Sequence, residues 1–246
     1  MIQSVERALD LLLLSAAQPE GVGLRELARR AGLKAATAQH LIQTMAHRGF
    51  LEWDDETSTY RPGLLSAAIS SQHQRIETWY RWLAPHAEAL TQQYGESVDS
   101  VAMAGGRLLR IALFRPGESA PRLYGGLEER LPHQMAMGLV LLAASPEPVI
   151  LAYAEAHGLP DLPGELEATR KKGYADSDDL PDRHNAIGFA MAVKSANGVP
   201  LFALNHHAPL ARDTKQHRKQ LLAGLKNTIN QLESSSFPDL TSPTAQ

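Results

Sequence analysis

The chain has 246 residues, 43% of them hydrophobic and 21% charged, with a formal net charge of −3 and no cysteine. That length suits one large domain or two smaller ones, and the composition is that of an ordinary globular protein. The lack of cysteine excludes disulfides, thiolate nucleophiles and Cys-ligated zinc and fits a reducing cytoplasm. The charge balance excludes a globally basic nucleic-acid binder, so any such function must rest on locally placed cations. No run approaches the ~20 apolar residues of a membrane span.

Ser4 to Ala17 reads as a helix, with Ser4 as its cap and Val5, Ala8, Leu9, Leu12 and Ala16 at helical spacing. Its leucine run is not read as a signal peptide, because Glu6 and Asp10 precede it where a positive region should stand. After Pro19-Glu20-Gly21, Leu24, Leu27, Ala28 and Ala31 mark a second helix, closed by Gly32. Ala38, Leu41, Ile42 and Met45 mark a third, over about 34–48. Two short helices joined by a tight glycine turn make a helix-turn-helix. Gly49 to Trp53 and Tyr60 to Pro62, around a polar loop, predict a two-stranded wing. Leu64 to Trp82 reads as a linker helix.

The texture changes from about Leu83. A helix ends at Gly95, and strands over 97–104 and 108–114 flank Gly105-Gly106. Residues 115–129 read as loop. Helices are predicted over 134–144, 149–157 and 165–172, and strands over 187–194 and 199–206 flank Asn197-Gly198. Leu221, Leu222, Leu225, Ile229 and Leu232 stripe a last helix, and the Ser-, Pro- and Thr-rich stretch from Ser234 reads as a disordered tail. The expected class is α+β: a winged helix-turn-helix over 1–63, a linker helix over 64–82, a sheet domain over 83–233 and a tail over 234–246.

With Ala38, Leu41, Ile42 and Met45 turned to a core, the opposite face of the third helix carries Ala36, His40, Gln43 and His47, flanked by Gln39 and Thr44. Gln can bond adenine bidentately and Ala or Thr can meet a thymine methyl, which is what a major-groove helix needs. Thr37 and Thr44 suit phosphates, Lys34 joins the candidate DNA contacts, and Arg61 on the wing flank suits the DNA better than the acidic wing tip, Asp54-Asp55-Glu56. Residues 1–48 carry a local net charge of +2. A winged helix used for protein contacts fits the same pattern.

Ser4 to Leu12, Leu24 to Leu33, Gly49-Phe50-Leu51, Tyr60-Arg61-Pro62-Gly63, Leu131 to Gly138, Leu141-Leu142-Ala143, Arg170 to Ala175 and Ala203 to Pro209 together resemble the isocitrate-lyase-regulator (IclR) family in order and spacing. The resemblance spans the chain to about Glu233. It implies a winged helix, a linker helix and a GAF-like antiparallel sheet domain that binds an effector, assembled as homodimers or homotetramers on palindromic operator DNA. Lys34-Ala35-Ala36-Thr37 stands where the family commonly has Pro-Lys-Ser-Thr, and His40 where Arg is common.

The resemblance places an effector pocket between the sheet and the 134–144 helix, lined by Ala136, Met137, Ser177, Gly188, Asn205 and His207. To these the residues add Met103 and Met135, which with Met137 make adaptable apolar walls. Amides at the helix start suit a carboxylate, so a small organic acid is the expected effector. No His-Glu-x-x-His, Gly-x-Ser-x-Gly or phosphate-loop motif is present, and the chain reads as a non-enzyme without metal or cofactor. His133, His184, His206 and His207 are the metal candidates, but adjacent His206 and His207 on a strand point to opposite faces.

Overall fold

The structure is a computed structural model and describes residues 2–18, 20–70, 75–118, 122–123, 126–128, 130–180 and 186–235. It divides into two compact units, residues 1–74 and 75–246.

The first unit packs α1 (Gln3–Ser15), α2 (Leu24–Arg30) and α3 (Ala35–His47) around Leu11, Leu27, Ala38, Ile42 and Leu51. The α1 cap is Ile2 rather than Ser4, two residues earlier, and it makes no side-chain cap hydrogen bond. Gly32 takes φ +63° between α2 and α3, a left-handed turn that suits glycine. The wing is β1 (Leu51–Asp54) paired antiparallel with β2 (Thr59–Pro62), and Val22 bridges to Tyr60 beside it. Trp53 packs on Tyr60 across the hairpin, ring centroids 4.7 Å apart. A short helix, α4 (Leu64–Ser70), ends the unit.

The expected break at residues 82 and 83 is not a structural one. Residues 64–82 hold α4 and the start of α5 (Arg75–Tyr94), residues 71–74 lie outside the described part, and α5 runs on through Pro85. The reason is packing: Trp79, Leu83, Ala87 and Leu90 form one buried stripe in the core of the second unit.

The second unit is a six-stranded sheet in the order β5-β4-β3-β8-β7-β6, every neighbour pair antiparallel. Two hairpins build its centre: β3 (Ser97–Ala104) with β4 (Arg107–Phe114), and β7 (Ala186–Lys194) with β8 (Pro200–Pro209). Gly105 and Gly106 both have positive φ, as a tight hairpin of right-twisted strands requires. Two-residue strands, β5 (Arg122–Leu123) and β6 (Ala175–Asp176), sit at the outer positions. β5 falls within the expected loop and is too short for a periodicity to register.

Helix α5 and the final helix α9 (Lys215–Ser234) pack against one face of the sheet around Phe202, Ile111, Leu225 and Ile229. On the other face lies α6 (Ala136–Ala144), close to Val101, Ala190, Ala192 and Ala203, whose small side chains admit it. Outside α6, α7 (Glu147–His157) and α8 (Leu162–Lys172) close a further cluster around Leu142, Ile150 and Leu166. The expected tail lies outside the described residues from 236 onward. No helix among the described residues is long and apolar enough to cross a membrane.

Candidate functional site

Each unit has its own candidate site. In the first, α3 buries Ala38 and Ile42 completely and seats Leu41, Met45 and Ala46 against the same core. The remaining face is polar and open. Lys34, Ala36, Gln39, His40, Gln43, Thr44 and His47 are exposed, and Thr37 is half-buried. Thr44 donates its hydroxyl proton to the His40 carbonyl at 2.9 Å, which leaves its oxygen to accept. The residues read as a groove-facing set therefore share one side of one helix.

The surrounding charges are more heavily paired than the sequence suggests. Glu26 accepts from Arg29 at 2.6 and 2.8 Å and from Arg30 at 2.7 Å. These bonds, Arg29 first, hold its carboxyl down at about 2. Arg61 is engaged as well, 2.6 Å from Glu52 and 3.2 Å from Asp54. Asp54 in turn is held below the usual carboxylate range, chiefly by the Thr57 amide. The one wing cation singled out from sequence thus already faces two carboxylates.

In the second unit, a cavity of about 230 Å³ lies between the start of α6, the turn at 177–180 and strands β3, β7 and β8. It gathers seven of the residues expected to line an effector pocket: Met135, Ala136, Met137, Ser177, Gly188, Asn205 and His207. Met103 is not among the cavity's lining residues. It lies against α7, on a separate groove with Tyr153 and His157.

Strand register explains how distant residues meet here. Asp99 pairs with Asn205 and Ser97 with His207 across β3 and β8, and His207 pairs with Gly188 across β8 and β7. Alternation sends Asn205 and His207 to the cavity and His206 to the opposite core, where His206 Nδ1 lies 3.0 Å from the Leu221 carbonyl. Burial holds the His206 imidazole well below its ordinary value, at about 4. Gly188 keeps the floor open, since a Cβ there would sit 2.7 Å from His207 Cβ and 3.1 Å from the Asn205 amide oxygen. Gly138 brings α6 against the preceding 3-10 turn, where a Cβ would stand 2.0 Å from the Pro132 carbonyl oxygen.

The polar groups are few and convergent. Asn205 donates to Asp99 at 2.9 Å, and Ser177 Oγ accepts the Gly188 amide at 3.2 Å. His207 Nε2 lies 3.6 Å from Asp99, buried and without a hydrogen-bond partner among the described residues. Arg130 also lines the cavity, 3.6 Å from buried Glu128. Sequence reading missed Asp99 and Arg130. Asp99 had a signal, the one charged residue in its strand; Arg130 sits in a stretch with no periodicity to place it. Of the histidines weighed as metal ligands, His184 lies outside the described residues, and no cluster of metal-ligating side chains occurs among those described.

The model of the IclR helix-turn-helix domain matches residues 4–55. The chain is 32% identical over 171 residues to the glycerol operon regulatory protein of Streptomyces coelicolor, a match covering 69% of this chain and 62% of that relative. It thus spans about three fifths of the length of the curated relatives it first matches. The fold resembles the crystal structure of an IclR family transcriptional regulator from Brucella abortus, with TM-score 0.71 and 17% identity over 96% of this chain and 93% of that one. It also resembles an IclR homologue from Microbacterium hydrocarbonoxydans complexed with 4-hydroxybenzoate, with TM-score 0.60 and 19% identity over 94% and 100% of the two chains.

Proposed function

We propose that this chain, whose residues 4–55 match the IclR helix-turn-helix domain, is an IclR-type transcription regulator that binds palindromic operator DNA as a homo-oligomer, under control of a small hydroxylated organic acid. The observation that carries the DNA reading is the exposed polar face of α3, set opposite a completely buried apolar one. Gln39, His40 and Gln43 read base edges, Ala36 packs against a thymine methyl, and Lys34, Thr37 and Thr44 bond phosphates. Arg61 joins them only by releasing Glu52 and Asp54. Operator half-sites then lie about one helical turn apart, or a multiple of it, as two-fold symmetry requires.

The effector reading rests on the cavity's chemistry. At about 230 Å³ it is smaller than the roughly 300–1,000 Å³ of sites for drug-sized ligands, so its occupant is small. Arg130 and the first-turn amides of α6, which no helix carbonyl serves, suit a carboxylate. Asp99 excludes a second carboxylate at its end and, with His207, suits a hydroxyl that donates to one and accepts from the other. Met135 and Met137 cover an apolar body. The 4-hydroxybenzoate of the Microbacterium homologue has both groups. Regulation follows if the acid prefers one of two conformations of the oligomer that differ in operator affinity.

Selection of genomic fragments by the purified protein at two salt concentrations tests the DNA reading. The expected result is one enriched palindromic site whose affinity falls as salt rises, because phosphate contacts release counterions. No enrichment at either salt, with and without hydroxy acids, would overturn it. The winged helix would then serve protein contacts, a reading that draws on the pairing of Arg29, Arg30 and Arg61 with carboxylates.

A further inference from the structure

The residue that sequence reading misplaced points to a second site. Met103, at the end of β3, packs against both the α6 cluster around Met135 and Met137 and the α7–α8 cluster. Its own cavity, about 440 Å³, is larger than the one described above. One side is the glycine turn Gly105-Gly106, one side is α7 with Ala152, Tyr153, Ala156 and His157, and Leu142, Pro148 and Val149 complete it.

Three features define what this groove accepts. No carboxylate, ammonium or guanidinium lines it among the described residues, so it offers no counter-charge to an ion. Its walls are soft and aromatic: the Met103 thioether beside the Tyr153 and His157 rings, which stack with centroids 4.1 Å apart. Thioethers and ring faces favour aromatic partners over aliphatic ones. The aromatic wall is also fixed in place. Tyr153 OH lies 2.8 Å from His133 Nδ1, and His157 Nδ1 lies 2.8 Å from the Tyr153 carbonyl. Tyr153 OH and His157 Nδ1 are already engaged, which leaves His157 Nε2 as the side-chain group to meet one hydrogen-bonding group. A side chain at Gly106 would meet the Tyr153 ring at 3.4 Å, so the glycine lets the turn lie close against that wall.

We propose that this groove is a second small-molecule site, taking a compact uncharged aromatic compound with one hydrogen-bonding group. It is separate from the acid cavity and stands whether or not that cavity binds an acid. Met103 touches the hydrophobic clusters on both sides, so an occupant of the groove presses on the packing around Met135 and Met137.

The methionines make the test specific. The full-length protein, labelled at its methionine methyl groups with carbon-13, is titrated with indole. The expected result is a saturable shift of Met103 larger than any shift of Met135 or Met137. Ala152→Trp, and separately Ala156→Trp, replace exposed alanines with a side chain that fills the groove, and each weakens indole binding at least tenfold. The absence of a saturable Met103 shift up to the solubility of indole would overturn the proposal, as would a shift that survives both tryptophans. A Met103 shift that instead follows protein concentration without indole, and vanishes in Ala152→Trp, would assign the groove to a second copy of the chain.

Discussion

Gly138 and His206 show how single positions hold the second unit together. A Cβ at residue 138 would stand 2.0 Å from a backbone oxygen that no rotamer can move, so Gly138→Ala must displace α6 or the preceding turn. We expect a loss on the order of 3 kcal/mol, measured by urea unfolding, and loss of effector binding with it. His206 is fully buried, with its imidazole held at about 4 by desolvation. Above about pH 6.5 neither the folded nor the unfolded chain protonates it. Between about 6.5 and about 4 the unfolded chain takes up a proton that the folded one resists, so stability falls as pH falls, by up to about 1.4 kcal/mol per unit. The Tyr94 ring, Glu96, His207 and His217 share its surroundings, so the clean measurement is a comparison. His206→Gln keeps a donor for the Leu221 carbonyl and does not titrate, and its unfolding free energy should depend less steeply on pH over that range. An unchanged slope would place the sensitivity elsewhere.

At the scale of the element, α3 and β8 each divide their side chains between a core and a working face. For α3 the expected consequence is selective. Gln43→Ala should cost about 1–3 kcal/mol against the preferred operator and little against random DNA, as a lost base contact does, in competition binding at fixed salt. Equal losses on both would reject base reading by Gln43. Arg61→Ala should change affinity by less, because its guanidinium already has two carboxylate partners. These helices and both central hairpins were legible from spacing and glycine turns alone, because periodicity is a property of one segment. So was the split between His206 and His207, which needs only strand alternation. Asp99 and Arg130 were not placed, and Met103 was misplaced, because a cavity is a property of register between segments: Asp99 lies opposite Asn205 only once β3 and β8 are paired. The same holds for Arg61, whose pairing depends on Glu52 in the facing strand.

At the scale of the molecule, the first unit leaves much apolar surface uncovered. Ile2 at the α1 cap, Val5 and Leu9 on α1, and Leu64, Leu65 and Ile69 on α4 are all about half exposed or more. In the homo-oligomer proposed above, such surface is where a second chain would pack. Leu9→Glu should therefore lower the molecular mass measured by light scattering and weaken binding to a full palindrome far more than to a half-site. A wild-type mass in that variant would move the contact elsewhere. The division at residue 74 belongs to the same scale. Sequence reading set it later, because helical character is continuous across 64–82 and only the burial of Trp79 in the sheet core shows which unit owns that stretch.

The sheet's margins matter for a protein that must stay dispersed. Its outermost strands are two residues long, and two β7 amides bond side chains instead of a further strand: Gly188 to Ser177 and Lys194 to Glu233. Beside β4, the Arg110 amide donates to the Gly126 carbonyl and the Glu128 amide donates to the Leu108 carbonyl, so the returning 126–128 segment covers that strand. A stray extended peptide thus finds few vacant rungs to latch onto. In a crowded cell, the same blunted margins should keep partly unfolded copies from templating one another into fibres.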